Sequence, residues 1–175
     1  MNNVILIGFM GSGKSSIGRK LSYRLQRTFI DTDKQIEREQ DVSIREIFAQ
    51  SGEEAFRKME TAYLEELLDN CRNQIISTGG GLPLRKKNRK LIQALGCVVY
   101  LRVTADTIYE RLKNDTTRPL LQGDVPKEKI NTLLKQRVAI YESVADLVID
   151  VDNKGFDEIL DEIQEGVKEY EAISN

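Results

Sequence analysis

The chain has no histidine, no tryptophan, two cysteines and three prolines among its 175 residues. Without histidine the commonest general base and metal ligand is missing, so proton transfer falls to carboxylate, lysine or water. Cys71 and Cys97 have neither metal spacing nor a disulfide framework, and are expected to be reduced, buried thiols of a cytoplasmic protein. No apolar run approaches the roughly 20 residues that span a bilayer. The first residues, MNNVILIGFMG, lack a basic region and break at Gly8, so they read as a strand rather than a signal peptide. A formal net charge of -2 creates no field that would gather nucleic acid or an anionic membrane. Any small anion must therefore be held by a few placed cations.

What the chain does contain is ordinary globular composition, 40% hydrophobic and 31% charged, with no repeats or low-complexity tracts. Its length fits one domain, residues 1–175. Five short runs rich in Val and Ile read as strands: 4–7, 28–31, 74–77, 98–103 and 147–151. They are continuous rather than alternating, as strands buried on both faces are. Helical patterns lie between and after them at roughly 14–26, 34–50, 52–70, 86–95, 105–114, 127–144 and 155–170. Ser43 with Glu46, and Ser51 with Glu54, have capping-box spacing. Alternation of this kind predicts parallel strands, right-handed crossovers and a three-layer α/β sandwich. Ligands of such sheets bind beyond the carboxyl ends of the strands.

GFMGSGKS, Gly8 to Ser15, matches G-x-x-x-x-G-K-[ST] between a predicted strand and a predicted helix, the setting a phosphate loop requires. Its N–H groups and the helix N-terminus cradle phosphate oxygens. Lys14 can reach the β/γ-phosphates, and the Ser15 hydroxyl can join a Mg²⁺ shell. A nucleoside triphosphate is the expected ligand. In FIDTD, Asp31 and Asp33 stand two apart at a strand end, so an extended chain would project both to one side.

Cations stand where helices should be apolar. On the helix 127–144, with Ile130 as zero, Arg137 falls at about 340°, inside an apolar arc from about 300° (Leu133) to about 80° (Val138). On the helix 52–70, with Phe56 as zero, Glu60 at about 40° and Arg57 at about 100° also lie inside the arc. Three residues apart, they can pair. A core-facing arginine is costly unless it is paired or lines a cavity. Each alone would suit a snorkelling side chain or an internal ion pair; two, beside a phosphate loop, favour an anion site. An arginine fork suits a planar carboxylate, and Glu60 would orient Arg57 from behind. STGGG, Ser77 to Gly81, leaves backbone N–H groups open to close approach. NDTTRPLLQGDVP, 114–126, reads as a lid loop carrying Arg118.

Together, GFMGSGKS, DTD (31–33), FRKME (56–60), STGGG (77–81), TRPLL (117–121) and QRVAIYESVAD (136–146) resemble the shikimate kinases. The resemblance runs from Gly8 to about Asn153. It implies the nucleoside-monophosphate-kinase form of the P-loop NTPase fold, a five-stranded parallel sheet in order 2-3-1-4-5. It also implies ATP-dependent phosphorylation of the shikimate 3-hydroxyl, on the route to chorismate and the aromatic amino acids. By position, the family's nucleotide contacts fall on Gly11, Ser12, Gly13, Lys14, Ser15, Ser16, Arg111, Arg118 and Asn153. Arg111 would stack on adenine, and the stretch from Asp152 to Lys154 matches the family's adenine loop weakly. Substrate contacts fall on Asp33, Arg57, Gly79, Gly80, Gly81 and Arg137, and the metal site on Ser15 and Asp31. Lys14, Asp33 and Arg118 are the expected catalytic residues, Asp33 either taking the departing proton or only orienting the hydroxyl. The substrate-binding region would be about 33–61 and the lid about 113–126. The implied cofactor is Mg²⁺; the implied partners are ATP and shikimate, with a monomer expected.

Three rivals stand at this level, one of them a kinase-like protein that only binds, against which intact Lys14, Ser15, Asp31, Asp33 and Arg118 argue. Gluconate kinases share the layout and also phosphorylate a hydroxy acid. A GTPase-like switch is suggested by NKGFD (153–157), but that stretch is one residue too long for N-K-x-D, and no D-x-x-G follows the third strand.

Overall fold

A computed structural model describes residues 2–113 and 127–174. Five strands form one parallel sheet: β1 (Asn3–Ile7), β2 (Thr28–Asp31), β3 (Gln74–Ser77), β4 (Gly96–Arg102) and β5 (Leu147–Asp150). Their order is β2-β3-β1-β4-β5, as the family resemblance implies. Registers such as Leu6 opposite Ser77 and Val99 bring the strand ends, and the loops after them, to one edge. Helices α1 (Lys14–Leu25), α2 (Thr32–Gln40), α3 (Ile44–Asn70), α4 (Lys86–Leu95), α5 (Ala105–Leu112), α6 (Lys127–Val144) and α7 (Phe156–Ser174) complete the described chain, with a 3-10 turn at Leu82–Leu84. None of these helices is long and apolar enough to cross a membrane.

All five residues of β1 are buried. The edge strands differ from the expectation of burial on both faces: in β2 Thr28 is exposed, and in β5 Val148 and Asp150 are. An edge strand has one neighbour instead of two, so its outer side meets water. Cys71 and Cys97 are free and buried, and burial pushes the Cys97 thiol up to about 12.

One predicted helix is two. The stretch 34–50 breaks where Asp41 turns left-handed (φ 54°), and α3 starts after Ser43. There the capping box forms: Glu46 N–H donates to Ser43 Oγ at 3.3 Å, and Ser43 N–H to Glu46 Oε2 at 2.8 Å. A second helix does start where the 52–70 pattern puts it, because Gly52 (φ 78°, ψ 169°) leaves helical geometry and makes α3 two helices joined at a kink; Glu54 pairs there with Arg85. At the far end of the sheet Asn3 is buried. Its Nδ2 donates to the carbonyls of Cys71 and Leu95 at 3.1 and 3.0 Å, and its Oδ1 accepts from Gln74 N–H at 3.0 Å. One amide thus ties β1 to the ends of α3 and α4 and the start of β3.

Candidate active site

Above the strand ends lies a cavity of about 730 Å³. The phosphate loop forms its floor. Gly11 (φ 78°) and Gly13 (φ 95°) adopt the left-handed region that side chains avoid, which curls the loop before α1 begins at Lys14. Gly11, Ser12, Gly13, Lys14, Ser15 and Ser16 all line the cavity. Lys14 is buried, and its Nζ donates to the carbonyls of Gly8 and Phe9, both at 2.9 Å. The ammonium is therefore held at the loop that has to grip phosphate.

Asp31 and Asp33 also line the cavity, but not as neighbours on one strand face. Asp31 closes β2 and caps α2, accepting from Lys34 N–H at 3.3 Å through Oδ1. Its Oδ2 accepts from the Ser15 hydroxyl at 2.7 Å. Asp33 already belongs to the first turn of α2 and faces Gly79 instead: a Cβ on Gly79 would lie 2.5 Å from Asp33 Oδ1 and 2.9 Å from Glu60 Oε1. The extended-chain premise fails because the helix starts between the two aspartates. A short turn, rather than the pleat, separates their directions.

Among the described residues no cluster of three or more Asp, Glu, Cys or His could cage a metal. A hydroxyl and a carboxylate beside a phosphate loop are nonetheless the donors Mg²⁺ uses when waters and phosphate oxygens complete its shell. Ser15 and Asp31 fit that ion.

The predicted anion site lies behind the glycine loop. Arg57, Glu60 and Arg137 are all buried. Arg57 Nη1 donates to Glu60 Oε2 at 2.8 Å, as their spacing predicts. Burial works against the Arg57 charge, and Glu60 and Glu53 more than offset it, so its pKa rises. Burial likewise pushes the Glu60 carboxyl up to about 7; Arg57 opposes this and Asp33 reinforces it. Arg137 stands over the Phe9 ring at 5.4 Å, and its Nη1 has no hydrogen-bond partner among the described residues. A buried, unpartnered guanidinium N–H is expensive in a folded chain and marks a place for an acceptor. Tyr141, one turn beyond Arg137, donates to Gly80 O at 2.7 Å. Burial pushes its phenol up to about 12, while the positive charges of Arg137 and, less, Arg57 pull it down.

Of the three glycines expected at the substrate, Gly79 and Gly80 line the cavity and Gly81 does not, and the Gly79 N–H already donates to Thr32 Oγ1 at 3.2 Å. Gly81 presses on the Arg57 guanidinium, where a Cβ would come within 2.3 Å of Nη2. At the nucleotide end, Arg111 Nη1 donates to Gly11 O at 2.8 Å and lines the cavity. Asn153 is exposed in a left-handed turn (φ 59°), and Val151, Lys154 and Phe156 supply the wall there. Asp152 accepts from Thr104 N–H at 2.9 Å, tying this turn to the start of α5. Arg118 and the segment 114–126 lie outside the described residues. Sequence reasoning missed Glu53, Thr32 and the carbonyl-holding role of Tyr141. Glu53 stands four residues before Arg57, a spacing that could have exposed it; the other two contacts cross between elements.

The model of the shikimate kinase family matches residues 10–168. The chain belongs to the shikimate kinase family. The shikimate kinase of Thermodesulfovibrio yellowstonii is 41% identical, covering 100% of this chain and 98% of that one. A shikimate kinase of Dehalococcoides mccartyi is 40% identical over 99% of this chain and 97% of its own. Among solved structures, the shikimate kinase of Acinetobacter baumannii in complex with shikimate superposes with a TM-score of 0.91 at 35% identity, covering 97% of this chain and 94% of that one. As a shikimate kinase by family, the chain brings Asp33, Gly79 and Gly80 into the cavity of the phosphate loop, while Arg57 and Arg137 are buried outside its lining.

Proposed function

We propose that this enzyme transfers the γ-phosphate of ATP to the 3-hydroxyl of shikimate, giving shikimate 3-phosphate and ADP on the route to chorismate. The observation that carries the substrate is the buried, unpartnered Nη1 of Arg137, together with the buried Arg57 guanidinium that lies against Gly81 of the glycine loop. A hydroxy acid can put its carboxylate there and its ring hydroxyls toward Asp33 and the cavity.

In this reading Arg57 and Arg137 hold the carboxylate, and the Gly79–Gly81 backbone sets the height of the ring. Asp33 accepts a hydrogen bond from the attacking hydroxyl. In a loose transition state that proton leaves late, so orientation is the larger part of its work. Lys14 moves from the Gly8 and Phe9 carbonyls to phosphate oxygens as nucleotide enters. Ser15 and Asp31 would hold Mg²⁺, Ser15 directly and Asp31 through water; the ion supplies neutralisation of the phosphate charge. Arg111 covers the adenine, with the turn at Asn153 beside it, and Arg118 completes the charge neutralisation over the phosphates. Residues 33–61 form the substrate-binding region, 113–126 the lid, and 1–175 one domain. The enzyme works as a monomer in the cytoplasm, consistent with two buried free thiols.

The test is direct. Purified protein with Mg-ATP should release ADP rapidly on addition of shikimate and hardly at all with gluconate. Equal rates with both acids, or none with either, would overturn the assignment.

A further inference from the structure

The Arg57 guanidinium is engaged by two carboxylates before any ligand arrives. Nη1 donates to Glu60 Oε2 at 2.8 Å; Nη2 and Nε donate to Glu53 Oε1 at 2.8 and 3.2 Å. The two carboxylates are held very differently. The Glu60 side chain is 0% exposed, whereas that of Glu53 is 51% exposed. Glu60 has no water to retreat to. Glu53 does, and it directly follows Gly52, the left-handed break in α3 (φ 78°), where an added Cβ would meet nothing within 4 Å. The guanidinium itself has little room to turn away, because Gly81 lies against its Nη2, Cζ and Nη1.

We propose that Glu53 is a built-in competitor for the acid substrate: its carboxylate occupies the Nε–Nη2 edge of Arg57 in the empty enzyme, and the substrate carboxylate displaces it into water. This rests on the assignment of an acid substrate to the Arg57–Arg137 pair. The Nε–Nη2 edge offers two parallel N–H groups of the kind a carboxylate accepts. Adding the substrate carboxylate while Glu53 stays would put two carboxylates on the same Nε–Nη2 edge of Arg57. One must leave, and the magnitudes select which. A half-exposed pair is worth little, because water replaces it. Breaking a fully buried pair strands a charge and costs several-fold more. Glu53 therefore exchanges while Glu60 stays as the fixed anchor. The arrangement keeps the buried Arg57 satisfied when the site is empty and lowers affinity for every acid by the same exchange.

Two variants, Glu53→Ala and Glu53→Gln, test the exchange against wild type. Shikimate Kd by titration calorimetry without nucleotide, and shikimate KM at saturating Mg-ATP, should both fall about two- to fivefold, the scale of a solvent-screened pair. KM for ATP should be unchanged. Thermal melts check folding, and the isosteric glutamine serves if the alanine variant is unstable. Unchanged or weaker shikimate affinity in folded variants would overturn the proposal, weaker binding meaning that Glu53 only orients Arg57. Wild-type turnover separates the two readings: no activity on shikimate defeats the substrate assignment, while normal activity with untightened variants defeats the competitor.

Discussion

Replacing Glu60 with glutamine should remove a slope of stability with pH that the native chain carries between pH 5 and 8. Burial is the largest cause of the rise of the Glu60 carboxyl from its ordinary 4.5 to about 7, with Arg57 resisting and Asp33 adding to it. The folded form thus holds the proton more tightly than the unfolded chain does. This stabilisation is complete below about pH 4.5 and is lost as pH rises through about 7. A shift of that size corresponds to about 3 kcal/mol in all, of which roughly 2 falls between pH 5 and 8. For a domain of this length the melting temperature should drop by roughly 4 to 8 °C across the window. The window is nearly clear of other titrations. The chain has no histidine. The carboxylates of Glu37, Glu46, Glu54, Asp150 and Asp152 are shifted the opposite way, so their contributions are lost at more acid pH. Melting followed by circular dichroism at pH 5, 6, 7 and 8 reads the effect. Wild type should melt progressively lower as pH rises, and Glu60→Gln should be nearly flat. A flat wild-type profile, or the same slope in the variant, would refute the assignment of this slope to a buried Glu60.

Arg137→Ala should weaken shikimate binding by roughly 30- to 1,000-fold, the cost of removing a buried charged partner, with ATP affinity nearly unchanged; a parallel loss of ATP affinity in calorimetry would place that arginine elsewhere. Gly79→Ala sets a methyl 2.5 Å from Asp33 Oδ1 and 2.9 Å from Glu60 Oε1, so turnover of shikimate should collapse while nucleotide binding persists. An alanine variant with near-normal kcat would show that this corner yields. Ser43→Ala removes the hydroxyl of the α3 capping box and should lower unfolding free energy by about 1 kcal/mol in urea titration, without effect on kcat.

Much of the site was legible along the chain because local rules write it there. A phosphate loop is a backbone device, so its glycines, lysine and serine must stand in fixed spacing between a strand and a helix. Arg57 and Glu60 were visible as charges on an apolar helix arc, and their pairing followed from a spacing of three. Arg137 was visible in the same way. The misreadings also had local causes. Asp31 and Asp33 looked like strand partners because nothing in FIDTD says that the helix begins at Thr32, and the break at Asp41 lay hidden in a polar run without glycine or proline. Ser43 and Glu46 spell a capping box inside that stretch, and the box marks where α3 starts.

Strand order, helix count to within one break, the phosphate-binding loop and the identity of the misplaced cations were contained in pattern and motif, together with the resemblance they carry. These depend on periodicity and on neighbours within a few residues. The hydrogen bond from Tyr141 to Gly80, the pinning of Gly79 by Thr32, the burial of Glu60 and the prior claim of Glu53 on Arg57 came only with the tertiary structure. Burial sets the protonation of Glu60 and the difference between its grip and that of Glu53. Burial is a property of what other segments bring alongside a residue, and a linear spacing does not carry it.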